Sequence, residues 1–298
     1  MPKKERVIVG FSGSDDLALA SAISKKAGGI LAIIEVNHFP DKETNLRFKT
    51  DLKGKNVFIV RSLDDPDRKI VEVLLAAQAA KELGAKNVVL VAPYLCYMRQ
   101  DKRFKPGQAI SSRTIAKLVN LFFDGMITVD PHLHRYKSLD EIFKKSPKRL
   151  TAINQIAEFI KKEIRNPFIF GPDFESYQWA RAAAKIIKCD VDVLKKHRYS
   201  SDIVRIKVKE KLDLSNKSAV IIDDVISTGH TVIEVVKDLK ALGAKRIYCI
   251  CTHGIFAEDS LKKIEQFGAK VFSTNTIKNR VSRIDVSGII AEEILKST

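Results

Sequence analysis

The sequence is poor in cysteine and has no long apolar run. Four of its 298 residues are cysteine, and their spacing contains neither a CxxC pair nor the pattern of a zinc site. A disulfide framework is therefore not expected, and the reducing cytoplasm is favoured. No stretch approaches the ~18 apolar residues of a membrane helix, and the start, MPKKERVIVGFSGSDD, lacks the apolar core of a signal peptide. We expect a soluble cytoplasmic protein that has no membrane partner.

The chain also lacks acidic residues relative to basic ones. Its net charge is +16, from 52 Lys and Arg against 36 Asp and Glu. This excess suits polyanionic ligands such as nucleotides, sugar phosphates or nucleic acid. A Lys-rich solvated surface, as in a heat-adapted protein, explains the same charge. Because the chain has no basic low-complexity tail and no RNP-like aromatic signature, nucleic acid is not an expected partner.

Short β-branched runs alternate with longer amphipathic segments along the whole chain. Near-continuous apolar strands separated by helices indicate parallel sheets covered on both faces, so we predict an α/β fold. The predicted strands are 7–11, 30–36, 56–60, 87–92, 126–130, 167–171, 191–194, 219–223, 246–252 and 269–274. The clearest predicted helices are 69–84, 111–123, 151–164, 231–243 and 289–296.

One pattern occurs twice. ELGAKNVVLVAP (82–93) resembles ALGAKRIYCICT (241–252), and in both copies a strand, an acidic loop and a helix come before it. Similar helix–Gly–strand transitions also arise by chance in unrelated α/β proteins. The length of the chain nevertheless favours two domains, and the repeat favours two similar ones.

We place the boundary between the domains in the basic, proline-containing segment FKKSPKRLTA (143–152). The predicted domains are therefore 1–148 and 149–298. The last helix, 289–296, is compatible with packing on either of them.

The most specific motif is VIIDDVISTGHT (220–231). A buried strand ends in Asp223 and Asp224, and a turn of small and hydroxyl-bearing residues then begins a helix. Ligands of open parallel sheets bind at the carboxyl ends of strands, and a helix N-terminus binds anions. We expect the two aspartates to bind the hydroxyls of ribose 5-phosphate. The phosphate is assigned to the turn, Ser227, Thr228, Gly229, His230 and Thr231. A helix capped by Ser or Thr is the alternative, and it leaves the paired aspartates unexplained.

This motif resembles the phosphoribosyl-diphosphate loop of type I phosphoribosyltransferases. Five further segments, in order, make nearly the whole chain similar to the ribose-phosphate diphosphokinases (phosphoribosyl-pyrophosphate synthetases). They are FPDKET (39–44), PYLCYMRQDKRF (93–104), VDPHLH (129–134), GPDF (171–174) and VLKKHRYSSD (193–202). The resemblance implies two phosphoribosyltransferase-like domains, ATP loops in the first, and a ribose-5-phosphate site and catalytic arm in the second. It implies transfer of the β,γ-diphosphate of ATP to the C1 hydroxyl of ribose 5-phosphate.

The resemblance also implies roles for single residues. Lys196 and Arg198 would be catalytic, and Arg198 would also contact ribose 5-phosphate. His132 and Asp173 would hold Mg²⁺. ATP would be bound by Phe39, Asp41, Lys42, Glu43, Arg99 and Gln100. A homo-oligomer, a dimer or larger with a shared active site, is implied as well.

The chain departs from the family pattern at three places. Lys42 and His230 each stand where the family has Gly, and Phe174-Glu175-Ser176 replaces small Gly residues. A side chain at 230 is unfavourable if the turn needs a positive φ there. These departures leave the shapes of three loops undetermined.

Other functions stay open at this stage. A nucleobase phosphoribosyltransferase would use the same loop, and a catalytically silent relative or a nucleic-acid-binding regulator fits the departures or the charge. His132 and His134 also suggest zinc, although no Cys or further His lies nearby in sequence to complete a site. Formation of AMP from ATP that strictly requires ribose 5-phosphate distinguishes the diphosphokinase from the others. Oligomer size and regulation by ADP or phosphate are not readable from the sequence.

Overall fold

The computed structural model describes residues 6–193 and 214–297 and, for the backbone alone, 196–199 and 203–206. The described residues form two compact units, one with the residues up to Thr151 and those from Val286 onward, the other with Ala152–Asp285. No helix in these ranges is long and apolar enough to span a membrane. All four cysteines carry free thiols.

The first unit contains a seven-stranded sheet. Its elements, in chain order, are β1 (Arg6–Phe11), α1 (Leu17–Ala27), β2 (Ile30–His38), β3 (Thr44–Arg47), β4 (Asn56–Val60), α2 (Pro66–Glu82), β5 (Asn87–Ala92), α3 (Ser111–Phe122), β6 (Gly125–Val129), a 3₁₀ turn (Leu139–Glu141) and β7 (Pro147–Leu150). The strand order is β3-β2-β1-β4-β5-β6-β7. All neighbours are parallel except β2 and β3, which form an antiparallel hairpin.

The second unit contains a six-stranded parallel sheet. Its elements are α4 (Ile153–Glu163), β8 (Pro167–Gly171), α5 (Tyr177–Ile187), β9 (Val191–Val193), β10 (Lys196–Tyr199), β11 (Ile203–Ile206), β12 (Ser218–Ile226), α6 (His230–Ala241), β13 (Arg246–Gly254), a 3₁₀ turn (Ala257–Asp259), α7 (Ser260–Gln266), β14 (Ala269–Thr274) and β15 (Ser282–Ile284). The strand order is β15-β14-β13-β12-β8-β9, and β10 and β11 form a separate antiparallel pair.

The strands form because their side chains are apolar on both faces. Val57, Ile59 and Val60 of β4, like Val220, Ile221 and Ile222 of β12, are fully buried. Burying one such side chain stabilises the fold by roughly 1.5–3 kcal/mol. Helices on both faces supply the cover that a parallel sheet requires. The predicted α/β class with two similar domains is confirmed.

The two units repeat one topology. The order β2-β1-β4-β5-β6-β7 of the first corresponds to β9-β8-β12-β13-β14-β15 of the second. Asn56 pairs with Asn87 in the first unit, as Ser218 pairs with Arg246 in the second, and the sequence repeat aligns Asn87 with Arg246. Arg61 lies five residues after Asn56, and Asp223 lies five residues after Ser218. Arg61 therefore takes the register position in the first unit that Asp223 takes in the second.

Two differences from the sequence prediction concern the end of one strand and the unit to which the last helix belongs. The predicted strand 219–223 continues to Ile226, because β13 also runs to Gly254 and pairs with it. Both aspartates of the motif therefore lie within the strand. The last helix, α8 (Ser287–Lys296), buries Ile290 and Ile294 and packs against α1, so it belongs to the first unit.

Candidate active site

Three carboxylates lie close together at the carboxyl ends of β8 and β12. Asp173 follows β8, and Asp223 and Asp224 lie near the end of β12. Burial, together with the neighbouring carboxylates of Asp224 and Asp173, raises the pKa of Asp223 well above its ordinary value. Asp223 Oδ1 accepts the backbone N–H of Asp224 at 2.9 Å, and Asp224 Oδ1 accepts that of Val225 at 2.8 Å. Hydroxyl donors or a cation placed here would relieve the crowding of negative charge.

The turn that follows β12 leads directly into a helix N-terminus. The positive φ of this turn, 73°, falls on Gly229, whereas His230 is the first residue of α6. The His230 side chain therefore causes no left-handed strain. Its Nδ1 lies 3.0 Å from Thr228 Oγ1, and Ser260 Oγ on α7 donates to the Ser227 carbonyl at 2.7 Å. The turn is thus anchored, and the first amides of α6 provide N–H donors of the kind that bind anions.

In the first unit, the loops after β5 and β6 are joined to each other. Arg99 and Gln100 follow β5, and His132 follows β6, the neighbouring parallel strand. Arg135 Nη1, in the second loop, donates to Asp101 Oδ1 in the first at 2.6 Å. The Asp101 carboxylate is almost fully buried, so this charge-assisted bond fixes one loop against the other.

Within these loops, Arg99 is the most accessible of the predicted ligands. Gln100 is half-buried, and its side-chain amide reaches the Ala109 carbonyl at 3.4 Å. The His132 and His134 rings lie edge to face with their centroids 3.8 Å apart. The exposed guanidinium is the group best placed to take a phosphate.

The predicted adenine loop is the hairpin between β2 and β3. Phe39 donates its N–H to the Glu43 carbonyl at 2.9 Å, and Lys42 donates its N–H to the Phe39 carbonyl at 2.8 Å. Asp41 Oδ1 accepts the Glu43 N–H at 3.1 Å. The Phe39 ring is 52% exposed. In the sheet, β1 and β4 lie between β2 and β5, so two strands separate this hairpin from the loop that carries Arg99.

Lys42 adopts the left-handed backbone conformation typical of glycine, the residue that the family pattern has at this position. Its φ is 73°, in the region that glycine occupies freely and that other residues occupy at a cost. The hairpin therefore keeps a glycine-type turn with a lysine in it.

The predicted catalytic residues can be located only by their backbone. Lys196 and Arg198 belong to β10, where they pair with Ile206 and Val204 of β11. Their side chains lie outside the described part of the structure.

The proposed metal ligands lie on different units, His132 on the first and Asp173 on the second. Among the described residues, no group of three or more His, Cys, Asp or Glu side chains is arranged to hold a metal ion. Mg²⁺ does not need such a group, because it keeps several waters and binds through one or two carboxylates together with substrate phosphates. The oxygen donors of Asp173 and Asp223 fit this chemistry better than an imidazole does.

Sequence reasoning missed Ser176, which is 3% exposed and lies directly before α5. Its backbone N–H and its hydroxyl both donate to Asp173 Oδ1, at 2.8 and 2.6 Å. The spacing Asp-x-x-Ser before a helix was the available signal, since an Asx-type turn at that place favours such contacts.

It also missed a buried ion network in the first unit. Arg61 is 3% exposed, bonds Glu72 through Nη2, and lies 3.4 Å from Asp16 Oδ2 through Nη1. Arg68 Nη1 donates to Glu72 Oε1 at 2.6 Å. A cavity of about 420 Å³ is lined in part by this network, at the place in the first unit that corresponds to the turn after β12 in the second. The repeat in the sequence was the available signal, because it aligns VFIVR (57–61) with AVIID (219–223).

Comparison with known proteins gives matches along nearly the whole chain. Residues 8–121 match the family model of the N-terminal domain of ribose phosphate pyrophosphokinase, and residues 140–287 match that of the phosphoribosyl transferase domain. A ribose-phosphate pyrophosphokinase of Methanothermobacter thermautotrophicus is 35% identical over 96% of this chain and 99% of its own length. One from Saccharolobus solfataricus is 34% identical over the same shares. The crystal structure of phosphoribosylpyrophosphate synthetase from Mycobacterium smegmatis covers 97% of both chains with a TM-score of 0.83 at 23% identity, which supports the fold.

Proposed function

The chain belongs to the ribose-phosphate pyrophosphokinase family, and we propose that it transfers the β,γ-diphosphate of ATP to the C1 hydroxyl of ribose 5-phosphate. The products are 5-phosphoribosyl 1-diphosphate and AMP. One observation carries the proposal: clustered carboxylates at the ends of β8 and β12 adjoin an anchored turn at the N-terminus of α6. Acceptors for vicinal hydroxyls and donors for a phosphate are then adjacent, as a phosphorylated pentose requires.

On the pentose side, Asp223 and Asp224 accept hydrogen bonds from the ribose hydroxyls. The phosphate binds the amides and hydroxyls of the turn, Ser227, Thr228, Gly229, His230 and Thr231. Because Ser260 holds the turn in place before the sugar arrives, little ordering is left to occur on binding.

On the nucleotide side, Arg99 and Gln100 contact ATP, with the guanidinium directed at phosphate oxygens. Phe39 stacks on adenine, and Asp41, Lys42 and Glu43 contact its edge or the neighbouring ribose. Phe39 has the exposed ring that stacking needs.

In the reaction, the C1 hydroxyl loses its proton to solvent and its oxygen forms a bond to the β-phosphorus, as the bond from that phosphorus to the oxygen bridging the α-phosphate breaks and AMP leaves with that oxygen. Lys196 and Arg198 supply positive charge where negative charge accumulates, each contributing on the order of 2–4 kcal/mol in a closed site. Arg198 also contacts ribose 5-phosphate. His132 and Asp173 would hold Mg²⁺, which supplies positive charge to the β- and γ-phosphate oxygens when bound.

We also propose a cytoplasmic homo-oligomer, a dimer or larger, with a shared active site. In the sheet, β1 and β4 separate the Phe39 hairpin from β5, whose following loop carries Arg99, and this favours an adenine contact from a second subunit. The free thiols favour a reducing compartment.

The test is product analysis with ATP labelled at the β-phosphate. With ribose 5-phosphate and Mg²⁺ we expect labelled sugar and unlabelled AMP in equal amounts. Lys196→Ala should lose both products. Lys262→Ala, which removes the same charge from an exposed position on α7, serves as the matched control and should stay active. Release of γ-phosphate alone from the wild-type protein, or sugar labelling that survives in Lys196→Ala, would contradict the proposal.

A further inference from the structure

The loop after β5 places Arg99 in a strained turn. Tyr97, two residues earlier, has a φ of 61°, a left-handed conformation that a residue with a bulky side chain adopts only at a cost. Such a conformation persists only where surrounding contacts hold it. The Gln100 N–H donates to the Tyr97 carbonyl at 3.2 Å and closes the turn, so Arg99 lies within it.

Side chains hold this turn on both sides. On one side, the Tyr97 hydroxyl donates to Asp67 Oδ1 in the first turn of α2. On the other side, Asp101 directly follows the turn and accepts a hydrogen bond from Arg135 Nη1 at 2.6 Å. The turn is therefore fixed to α2 at its start and to the loop after β6 at its end.

The Asp101 side chain depends on Arg135. It is 1% exposed, and among the described residues its Oδ2 has no hydrogen-bond partner. Removal of the guanidinium would leave a buried carboxylate uncompensated, which is much less favourable than a solvated one. Movement of Asp101 toward water relieves this cost, and such a movement displaces Arg99, which lies two residues away.

The residue after Arg135 holds the same turn by a second route. The Tyr136 hydroxyl lies 3.1 Å from Ser112 Oγ at the start of α3, and the Ser112 N–H donates to the Gln100 carbonyl at 3.3 Å. Two adjacent residues of the loop after β6 thus support the loop after β5. The Arg135 side chain is 42% exposed, so its removal creates no cavity in the hydrophobic core.

We infer that Arg135 is a positioning residue for the nucleotide, whose bond to Asp101 sets Arg99 in the geometry that receives the phosphates of ATP. The inference rests on the proposed function, because that function assigns the ATP phosphates to Arg99. Arg135 acts through Asp101, so its effect belongs to binding of ATP and not to binding of ribose 5-phosphate.

The test compares Arg135→Ala with Arg135→Lys in the full-length protein. In Arg135→Ala we expect the KM for ATP to rise about tenfold, the size of one hydrogen bond to a charged group, with the KM for ribose 5-phosphate unchanged. Arg135→Lys keeps a cation but not the planar guanidinium, and should recover part of the loss. Calorimetric titration with the ATP analogue that has a methylene group between the α- and β-phosphates should give the same order of affinities without turnover.

A double-mutant cycle separates action through Asp101 from direct contact with ATP. Asp101→Asn keeps the shape of the side chain and leaves no buried charge to compensate. Arg135→Ala should therefore raise the KM for ATP much less in the Asp101→Asn background than in the wild-type protein. An equally large rise in both backgrounds means that Arg135 contacts the nucleotide directly, and overturns the inference. If Arg135→Ala alone does not fold, the double variant is compared with Asp101→Asn, and a tenfold difference between them overturns the inference as well.

Arg280→Ala is the matched control. Arg280 also pairs with a carboxylate, that of Glu265, but this pair belongs to the second unit and both of its side chains are partly exposed. The substitution removes the same guanidinium and the same kind of bond without touching the Arg99 turn. Both KM values should stay at their wild-type level.

The outcomes separate this inference from the proposed function. If the wild-type protein labels the sugar and Arg135→Ala keeps the wild-type KM for ATP, the inference is overturned while the function stands. An equal rise in the KM for both substrates, or the same rise in Arg280→Ala, also overturns it. If the wild-type protein labels no sugar but binds the ATP analogue, and Arg135→Ala binds it about tenfold more weakly, the proposed function has failed while the role of Arg135 stands.

Discussion

Gly229→Ala adds a methyl group to the turn between β12 and α6. With a φ of 73°, Gly229 lies in the left-handed region, which costs an L-residue roughly 1–2 kcal/mol. The added Cβ would also lie 3.1 Å from both Ile264 Cδ1 and Ser260 Cβ. The tip of Ile264 can rotate away, but Ser260 is held by its bond to the Ser227 carbonyl, so the turn must shift. We expect a loss of about 1–2 kcal/mol in stability and a rise of about tenfold in the KM for ribose 5-phosphate.

Gly243→Ala isolates the backbone cost. Gly243 follows the other end of α6 with a φ of 83°, and no described atom lies within 4 Å of the Cβ that alanine would add. It should lose similar stability in urea unfolding and keep the wild-type KM in an assay of AMP release. An unchanged KM in a folded Gly229→Ala, or an equal rise in Gly243→Ala, would refute the assignment of this turn to the phosphate.

Three further predictions concern the first unit. Lys42→Gly should raise the free energy of unfolding by about 0.5–1 kcal/mol, seen as a higher midpoint of urea unfolding. The reason is that the φ of 73° is then occupied by glycine and no longer by a residue with a side chain. Glu72→Gln removes the closer of the two carboxylates that pair with the buried Arg61 and should lower the free energy of unfolding by about 3–5 kcal/mol, whereas Lys237→Ala, at an exposed pair, should change it by less than about 1 kcal/mol. Burial raises the pKa of Asp16 from 3.8 to about 6, against the opposing charges around it, so this group favours the folded state most below pH 3.8 and loses up to about 3 kcal/mol as the pH rises through 6. The unfolding free energy of Asp16→Asn, measured against pH, should lack this decrease, and an identical profile would contradict it.

The sequence predicts strands well where apolar residues alone decide them. Strands 56–60 and 87–92 have the predicted bounds, because each is an apolar run that follows a single asparagine. It does not predict β3, Thr44–Arg47, whose polar residues give no strand signal and which forms by pairing with β2. It also ends β12 too early, since the last residues of that strand depend on the length of β13.

The candidate site shows the same limit. Asp223 and Asp224 are conspicuous because two carboxylates interrupt an apolar run. The bond from Ser260 to the Ser227 carbonyl joins residues that are distant in sequence, and no local pattern reports it. The ion network around Arg61 has the same origin, since Asp16 and Glu72 reach it from two other elements. Local composition therefore locates the ligand groups, whereas the tertiary structure decides what supports them.

The equivalence of Arg61 and Asp223 bears on how two units of the same topology can differ in function. A guanidinium offers only donors, so the first copy cannot receive sugar hydroxyls as an aspartate does. Arginine in place of aspartate at one point of the sheet reverses the charge there, and the first unit has a buried ion network where the second has its carboxylate cluster. The two units can therefore differ in function without differing in topology. The first has a guanidinium, Arg61, in place of an acceptor, and the carboxylates of Asp16 and Glu72 neutralise it.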